Sequence, residues 1–170
     1  MPLNPVNDVL ITRLRTALPP ATFREATAGY LEEPRGRWSG QAGVLLAPAS
    51  TGEVAQIISL AHEARVPVVP YGGGTGLVGG QIAGQGPAPV LLSLERMTRI
   101  RAVHADENIL IAEAGAILAD VHQAAEDAQR LYPLTIAAKG SARVGGILAT
   151  NAGGVNVLRY GNARDLCLGL

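Results

Sequence analysis

The stretch PVVPYGGGTGLVGG, residues 67–80, places Gly72, Gly73, Gly74, Gly76, Gly79 and Gly80 directly after an apolar, strand-like run. Glycine loses more backbone freedom on folding than any other residue. A run this dense cannot be helical. In a folded domain it implies that something approaches the backbone so closely that side chains are not tolerated.

The rest of the composition narrows what that something is. The 170 residues are 48% hydrophobic and 16% charged, which describes a globular chain with a core rather than a disordered one. A formal net charge of zero leaves no electrostatic footprint for nucleic acid or an anionic membrane surface. An anionic ligand would therefore be met by backbone dipoles. Cys167 is the only cysteine, which excludes a disulfide framework, and its place in the apolar run 166–170 reads as a small buried hydrophobe. His62, His104 and His122 are dispersed without metal-ligand spacing, so no metal site is expected. No apolar run is long enough to span a bilayer, and MPLNPVNDVLITRL lacks the pattern of a secretory signal, so a cytoplasmic location is expected.

Periodicity organises the chain. Residues 7–18 carry Leu10, Ile11, Leu14 and Leu18 at helical spacing, stopped by Pro19 and Pro20. Residues 21–40 read as a connecting arm. A buried strand is expected over 44–47. A helix follows, opened by a Ser50–Glu53 capping box with Val54, Ile57, Ile58 and Ala61 on its apolar face. A second buried strand at 66–69 completes a parallel β-α-β unit and feeds the glycine loop. Residues 89–94 suggest a further strand, 99–104 and 109–114 a hairpin, and Ile117, Val121, Ala124, Ala125 and Ala128 a second amphipathic helix. From Tyr132 the pattern dissolves.

Three phosphate-binding readings compete for the loop. Gly74 to Gly79 has Walker A spacing, but Gly80 and Gln81 stand where Lys and Ser/Thr are required. Gly74, Gly76 and Gly79 spell G-x-G-x-x-G after a strand, yet the continuation GQIAGQGPAP opens no helix to receive a pyrophosphate. The third reading is a nest of successive backbone N–H groups at a strand end, which cradles a diphosphate without either device. A flexible surface loop is the alternative, and Leu77 and Val78 inside the run speak against it. Gly140, Ser141, Gly145, Gly146 and the segment TNAGG, residues 150–154, form a second cluster of small and hydrogen-bonding residues. Such residues suit either a flat ligand or a set of caps.

Together PVVPYGGGTGLVGG, GSARVGGILATNAGG and LRYGNARDLCLGL resemble the FAD-binding domain of FAD-linked oxidases of the vanillyl-alcohol oxidase and p-cresol methylhydroxylase (PCMH) type. The branch resembled is that of the D-2-hydroxy-acid dehydrogenases, which includes D-lactate dehydrogenase, glycolate oxidase and D-2-hydroxyglutarate enzymes. The resemblance runs from about Val44 to Leu170. It implies an α+β fold, with a small parallel β-α-β subdomain followed by a mostly antiparallel one. Residues 1–40 would be an N-terminal helix and arm, and 41–170 the FAD-binding domain.

The resemblance also implies roles. The family's diphosphate loop falls on Gly72, Gly73, Gly74, Thr75, Gly76 and Leu77, with Pro70, Gly79 and Gly80 also among the cofactor-binding residues. Pro133, Gly140, Ser141, Gly145, Gly146, Asn151, Gly153 and Gly154 line the flavin, and Tyr160 and Gly161 belong to the same stretch. Covalently flavinylated relatives carry His where this chain has Thr75, so non-covalent FAD is expected. YPLTIAAKGS is closer to the D-2-hydroxyglutarate pattern than to the lactate and glycolate pattern.

The chain is then the FAD-binding portion of an oxidoreductase that takes hydride from a 2-hydroxy acid. The substrate domain would lie past Leu170, the electron acceptor is not legible, and no catalytic residue is assigned. Arg159 and Arg164 read as solvated cations. A FAD-binding subunit, or a nucleotide-binding module without catalysis, is the alternative.

Overall fold

Asn7 opens the first helix by accepting a hydrogen bond from the Leu10 N–H at 3.0 Å, and α1 runs Asp8–Ala17. That bond occupies one of the donors every helix start leaves unpaired. Leu10, Leu14 and Leu18 are buried at four-residue spacing in a core shared with Leu46, Ile57, Val66, Val90 and Leu92. The computed structural model describes residues 2–170, and the chain divides between Arg96 and Met97 into two compact units.

Residues 21–40 are more than a connector. Phe23–Arg24 forms β1, antiparallel to β2 (Val44–Leu46), and Ala28–Leu31 forms a short helix, α2. The Ala47 N–H donates to the Thr22 carbonyl at 2.7 Å, and the Arg96 guanidinium donates to the carbonyls of Ala21 and Ala47. A strand of two residues has no periodicity to read, and only its partner reveals it.

Ser50 caps α3 (Thr51–Ala64) by accepting from the Glu53 N–H. The reciprocal half of the expected box moves back one residue. The Glu53 carboxylate accepts from the Ala49 N–H and from the Thr22 hydroxyl at 2.9 Å. Ile57 and Ala61 are buried, whereas Ile58, expected on the apolar face, is 45% exposed. The strand expected at 66–69 is β3, Val68–Tyr71, two residues later. Arg65 ends α3 in the left-handed region, and the Val66 N–H donates back to the Ala61 carbonyl, so Val66 belongs to the helix stop. Val90–Ser93, β4, is buried throughout and lies between β2 and β3, parallel to both, in the order β1-β2-β4-β3. The two strands of the expected β-α-β unit are thus parallel but not neighbours, and β3 is an edge.

In the second unit β5 (Ile100–His104) and β6 (Ile109–Ala112) form the expected hairpin, turned by Asn108 at φ 55°. Leu118–Asp127 is α4, with Leu118, Val121 and Ala125 buried. Two helices follow where periodicity fades, α5 (Val144–Ala149) and α6 (Val157–Tyr160). Leu118, Leu134, Ala142, Ile147 and Ala163 make the core of this unit. The apolar run 166–170 does not bury its cysteine. A 3-10 turn ends at Leu166, Leu168 and Leu170 are exposed, and Cys167 is half-buried rather than buried.

Glu113, just after β6, is the buried charge of the hairpin. Its carboxylate accepts from the Arg99 side chain at 2.8 and 3.1 Å, from the Arg99 N–H at 3.0 Å, and from Arg101. Arg99's side-chain and backbone donors, aided by Arg101 and opposed by burial, hold the carboxyl down at about 2. A depressed folded value means the stabilisation is present above the unfolded glutamate value and is lost as pH falls toward about 2. Melting curves at pH 5 and pH 3 should therefore show a larger acid-induced drop for the native chain than for Glu113→Gln. Equal drops would show that the cluster contributes nothing to acid sensitivity.

Candidate functional site

The glycine loop leaves the end of β3 at Tyr71. No backbone N–H from Gly73 to Gly80 donates to another protein group among the described residues. The loop's carbonyls are treated differently. The Gln81 side-chain amide donates to Gly76 O at 2.8 Å and reaches Gly74 O at 3.5 Å. Gln81 thus occupies acceptors that would repel an anion and leaves a row of donors unspent. That combination is what an anion nest requires.

Two glycines are held in backbone conformations that side chains rarely adopt, Gly74 at φ 67° and Gly79 at φ 77°. A Cβ on Gly74 would collide with the Tyr71 hydroxyl. Tyr71 is not free to yield. It donates to the Gly29 carbonyl at 2.9 Å, and its ring packs 5.1 Å from that of Tyr30. Tyr30 in turn donates to Glu95 at 2.6 Å, which pushes its phenol up to about 12 and keeps it a donor. Burial works against the Glu95 charge, but hydrogen bonds from Tyr30, Ser93 and Arg24 hold its carboxyl below the usual range. A chain of fixed side chains therefore runs from the centre of the sheet to the underside of the loop.

The second half of the loop rests on the N-terminal arm. A Cβ on Gly79 would stand 3.5 Å from the Trp38 ring, and one on Gly40 would clash with Ile82 and the Ala83 backbone. The Gln41 N–H donates to the Ala83 carbonyl at 3.0 Å. Gln81, Tyr71, Tyr30 and Trp38 escaped assignment from sequence. The only signal was position: Tyr71 and Gln81 bracket the glycine run.

The cluster in the second unit has a different character. Gly145 sits in the first turn of α5, where its N–H donates to the Ala114 carbonyl at 2.7 Å and a Cβ would press on Ala114. A Cβ on Gly154 would collide with the Thr135 carbonyl, and one on Gly161, at φ 78°, with the Asp165 side chain. Asn151, at φ 49°, accepts from the Arg164 N–H, and Gly153 lies against Asn162. Packing within the unit accounts for these. Gly140 and Gly146 face open space, as does Gly80 in the loop. Ser141 and Tyr160 are exposed, and the Pro133 carbonyl accepts from Asn156.

Arg164 is more than a solvated cation. Its guanidinium donates to the Leu148 and Ala149 carbonyls at 2.8 Å each and closes the end of α5. Arg159 lies over the Tyr160 ring. His62 and His104 are exposed, and His122 Nε2 is 2.8 Å from the Leu134 carbonyl.

A sequence profile of the family described as FAD binding domain matches residues 42–170. The chain belongs to that family. Its cofactor is FAD, which carries the diphosphate that the loop's free donors suit. A D-2-hydroxyglutarate dehydrogenase of Xanthomonas citri pv. viticola is 38% identical over 97% of this chain and 35% of its own length. A mitochondrial D-2-hydroxyglutarate dehydrogenase of Bos taurus is 40% identical over 82% of this chain and 26% of its own. The FAD-binding chain thus spans roughly a quarter to a third of these relatives. Among solved structures, an alkyldihydroxyacetonephosphate synthase superposes with a TM-score of 0.84 at 18% identity, covering 99% of this chain and 33% of the other. The fold is the PCMH-type α+β arrangement expected from the motifs. Among the described residues no helix is long and apolar enough to cross a membrane, and no cluster of metal-ligating side chains occurs.

Proposed function

We propose that this FAD-binding domain serves a flavin-dependent dehydrogenase that oxidises a D-2-hydroxy acid to the 2-oxo acid, with D-2-hydroxyglutarate favoured over D-lactate and glycolate. The single observation that carries the reading is the loop of unspent N–H donors with its carbonyls tied to Gln81. The relatives named above support the substrate class. When bound, FAD supplies the hydride acceptor: the substrate's C2 hydrogen leaves with its electron pair, and the hydroxyl proton goes to a base.

In this reading residues 72–77 hold the diphosphate, with Pro70, Gly79 and Gly80 shaping the loop. Gly140 and Gly146, which face open space, are the positions in the second unit where an outside partner best explains a glycine. Thr75 offers no nucleophilic nitrogen, so FAD is held non-covalently. The family match beginning at residue 42 supports a domain of 41–170 preceded by an N-terminal helix and arm. The compartment we favour is the cytoplasm, tested by fractionating cells that express the natural polypeptide.

His62, the histidine of the first unit, is exposed on α3, and no residue of the chain is assigned as the base. Residues 1–170 alone should therefore leave their flavin oxidised on anaerobic mixing with any of the three acids. The full natural polypeptide should bleach fastest with D-2-hydroxyglutarate and, on acid precipitation, release its flavin into the supernatant. Bleaching fastest with D-lactate or glycolate would refute the substrate assignment, and a yellow pellet the non-covalent one.

A further inference from the structure

A loop whose N–H groups stay unpaired has little of its own to hold its shape. Each residue kept in one backbone conformation loses freedom, and a loop ordered beforehand binds more tightly because that loss has already occurred. Residues 73–80 donate no backbone hydrogen bond to the protein among the described residues, so their shape depends on what lies beneath them. Beneath Gly74 lies the Tyr71 phenol, close enough to exclude a Cβ.

Tyr71 is held from two sides. Its backbone pairs with Ser93 at the end of β4, and its carbonyl accepts from the Leu94 N–H at 3.2 Å. Its hydroxyl donates to the Gly29 carbonyl of α2. A helix of four residues, with no capping bond from the Thr27 side chain at its start, is too short to fix itself. What ties it to the sheet is its next residue, Tyr30, which donates to Glu95 Oε2 at 2.6 Å. The same oxygen accepts from the Ser93 hydroxyl, two residues back, at 3.0 Å, and Oε1 accepts from Arg24 of β1 at 3.4 Å. One carboxylate, its side chain 23% exposed, thus joins the inner strand β4, the edge strand β1 and the arm helix. A charged acceptor makes the Tyr30 bond short and strong.

We propose that Glu95 is the positioning residue of the cofactor loop: through Tyr30 it fixes α2, and through the Gly29 carbonyl α2 fixes Tyr71 beneath Gly74. The row of N–H donors is thereby set before the diphosphate arrives. This rests on the assignment of the FAD diphosphate to the loop and goes beyond it, since neither Glu95 nor Tyr30 lies in the glycine motif.

The test uses the full natural polypeptide, stripped of flavin and titrated calorimetrically with FAD at a temperature where melting curves show every variant folded. Under that condition a residue that merely supports the fold moves the melting temperature and not the affinity. Tyr30→Phe and Glu95→Ala should each weaken FAD binding about tenfold, the lower end of what a hydrogen bond to a charged acceptor contributes. Glu95→Gln should lose less than either, because its amide oxygen still accepts from Tyr30. The double variant Tyr71→Phe/Glu95→Ala should bind no more weakly than the weaker single, since both changes break one chain of contacts. Thr22→Val is the control. It removes the hydroxyl that donates to Glu53, a bond that leads to α3 rather than to the loop, and should lower the melting temperature with FAD affinity unchanged.

Unchanged FAD affinity in Tyr30→Phe and Glu95→Ala overturns the proposal. So does a double variant whose losses multiply, or a Thr22→Val protein that loses affinity as they do. Should Glu95→Ala not fold, Tyr30→Phe, which removes a single oxygen, decides. A native protein whose FAD affinity survives Gly74→Val would instead remove the loop assignment, and one that binds no FAD would refute the FAD reading itself.

Discussion

Gly74→Val is expected to weaken FAD binding about a hundredfold while leaving the domain folded. The position combines a left-handed backbone, φ 67°, with a Cβ direction that points at the Tyr71 hydroxyl. Valine is β-branched and disfavours that region strongly, at about 1–3 kcal/mol. Tyr71 cannot swing aside cheaply, because it is bonded to Gly29 and packed on Tyr30, itself anchored by Glu95. The loop would have to relax instead, and the row of N–H donors would lose its common focus. A strain of about 3 kcal/mol taken up only by the cradle conformation is about a hundredfold in affinity. The checks are the flavin-to-protein ratio after purification and a calorimetric titration with FAD. Gly52→Ala, in the exposed first turn of α3, is the control, since its Cβ would come no nearer than 3.8 Å to any neighbour. A Gly74→Val protein with native affinity would remove the loop from the site.

Gly154→Val and Gly146→Ala should move stability in opposite directions, although both positions lie in one glycine-rich segment. At Gly154 the new Cβ meets backbone, the Thr135 carbonyl, which also accepts from the Val155 N–H at 3.2 Å. No rotamer change relieves a clash with main chain, so the cost is about 3 kcal/mol. For a chain of this size that lowers the melting temperature by roughly 10 °C. At Gly146 a Cβ meets nothing within 4 Å and the residue is helical, so alanine should add about 0.5–1 kcal/mol. If Gly146 lies against the flavin, the same variant loses FAD affinity while it gains stability. Equal melting temperatures for the two variants would show that packing does not distinguish these glycines.

The residues themselves determined a good deal. Leu10, Leu14 and Leu18 declare their helix, Ser50 the start of the next, and the alternation around residues 105–108 its hairpin, because each depends on neighbours a few positions away. The glycine run was legible for the same reason: the freedom of its backbone is a local property. Only the tertiary structure decided which elements adjoin. It set β4 between two strands that follow one another in sequence and set the supposed arm against the glycine loop, with Trp38 beside Gly79 and Tyr71 bonded to Gly29. It also separated Gly154, required by the Thr135 carbonyl, from Gly146, required by nothing in its own unit. Tyr71 and Gln81 owe their roles to what stands opposite them: the Gly29 carbonyl and the loop carbonyls. Such roles are pairwise across the fold, and a pair separated by tens of residues leaves no period along the chain.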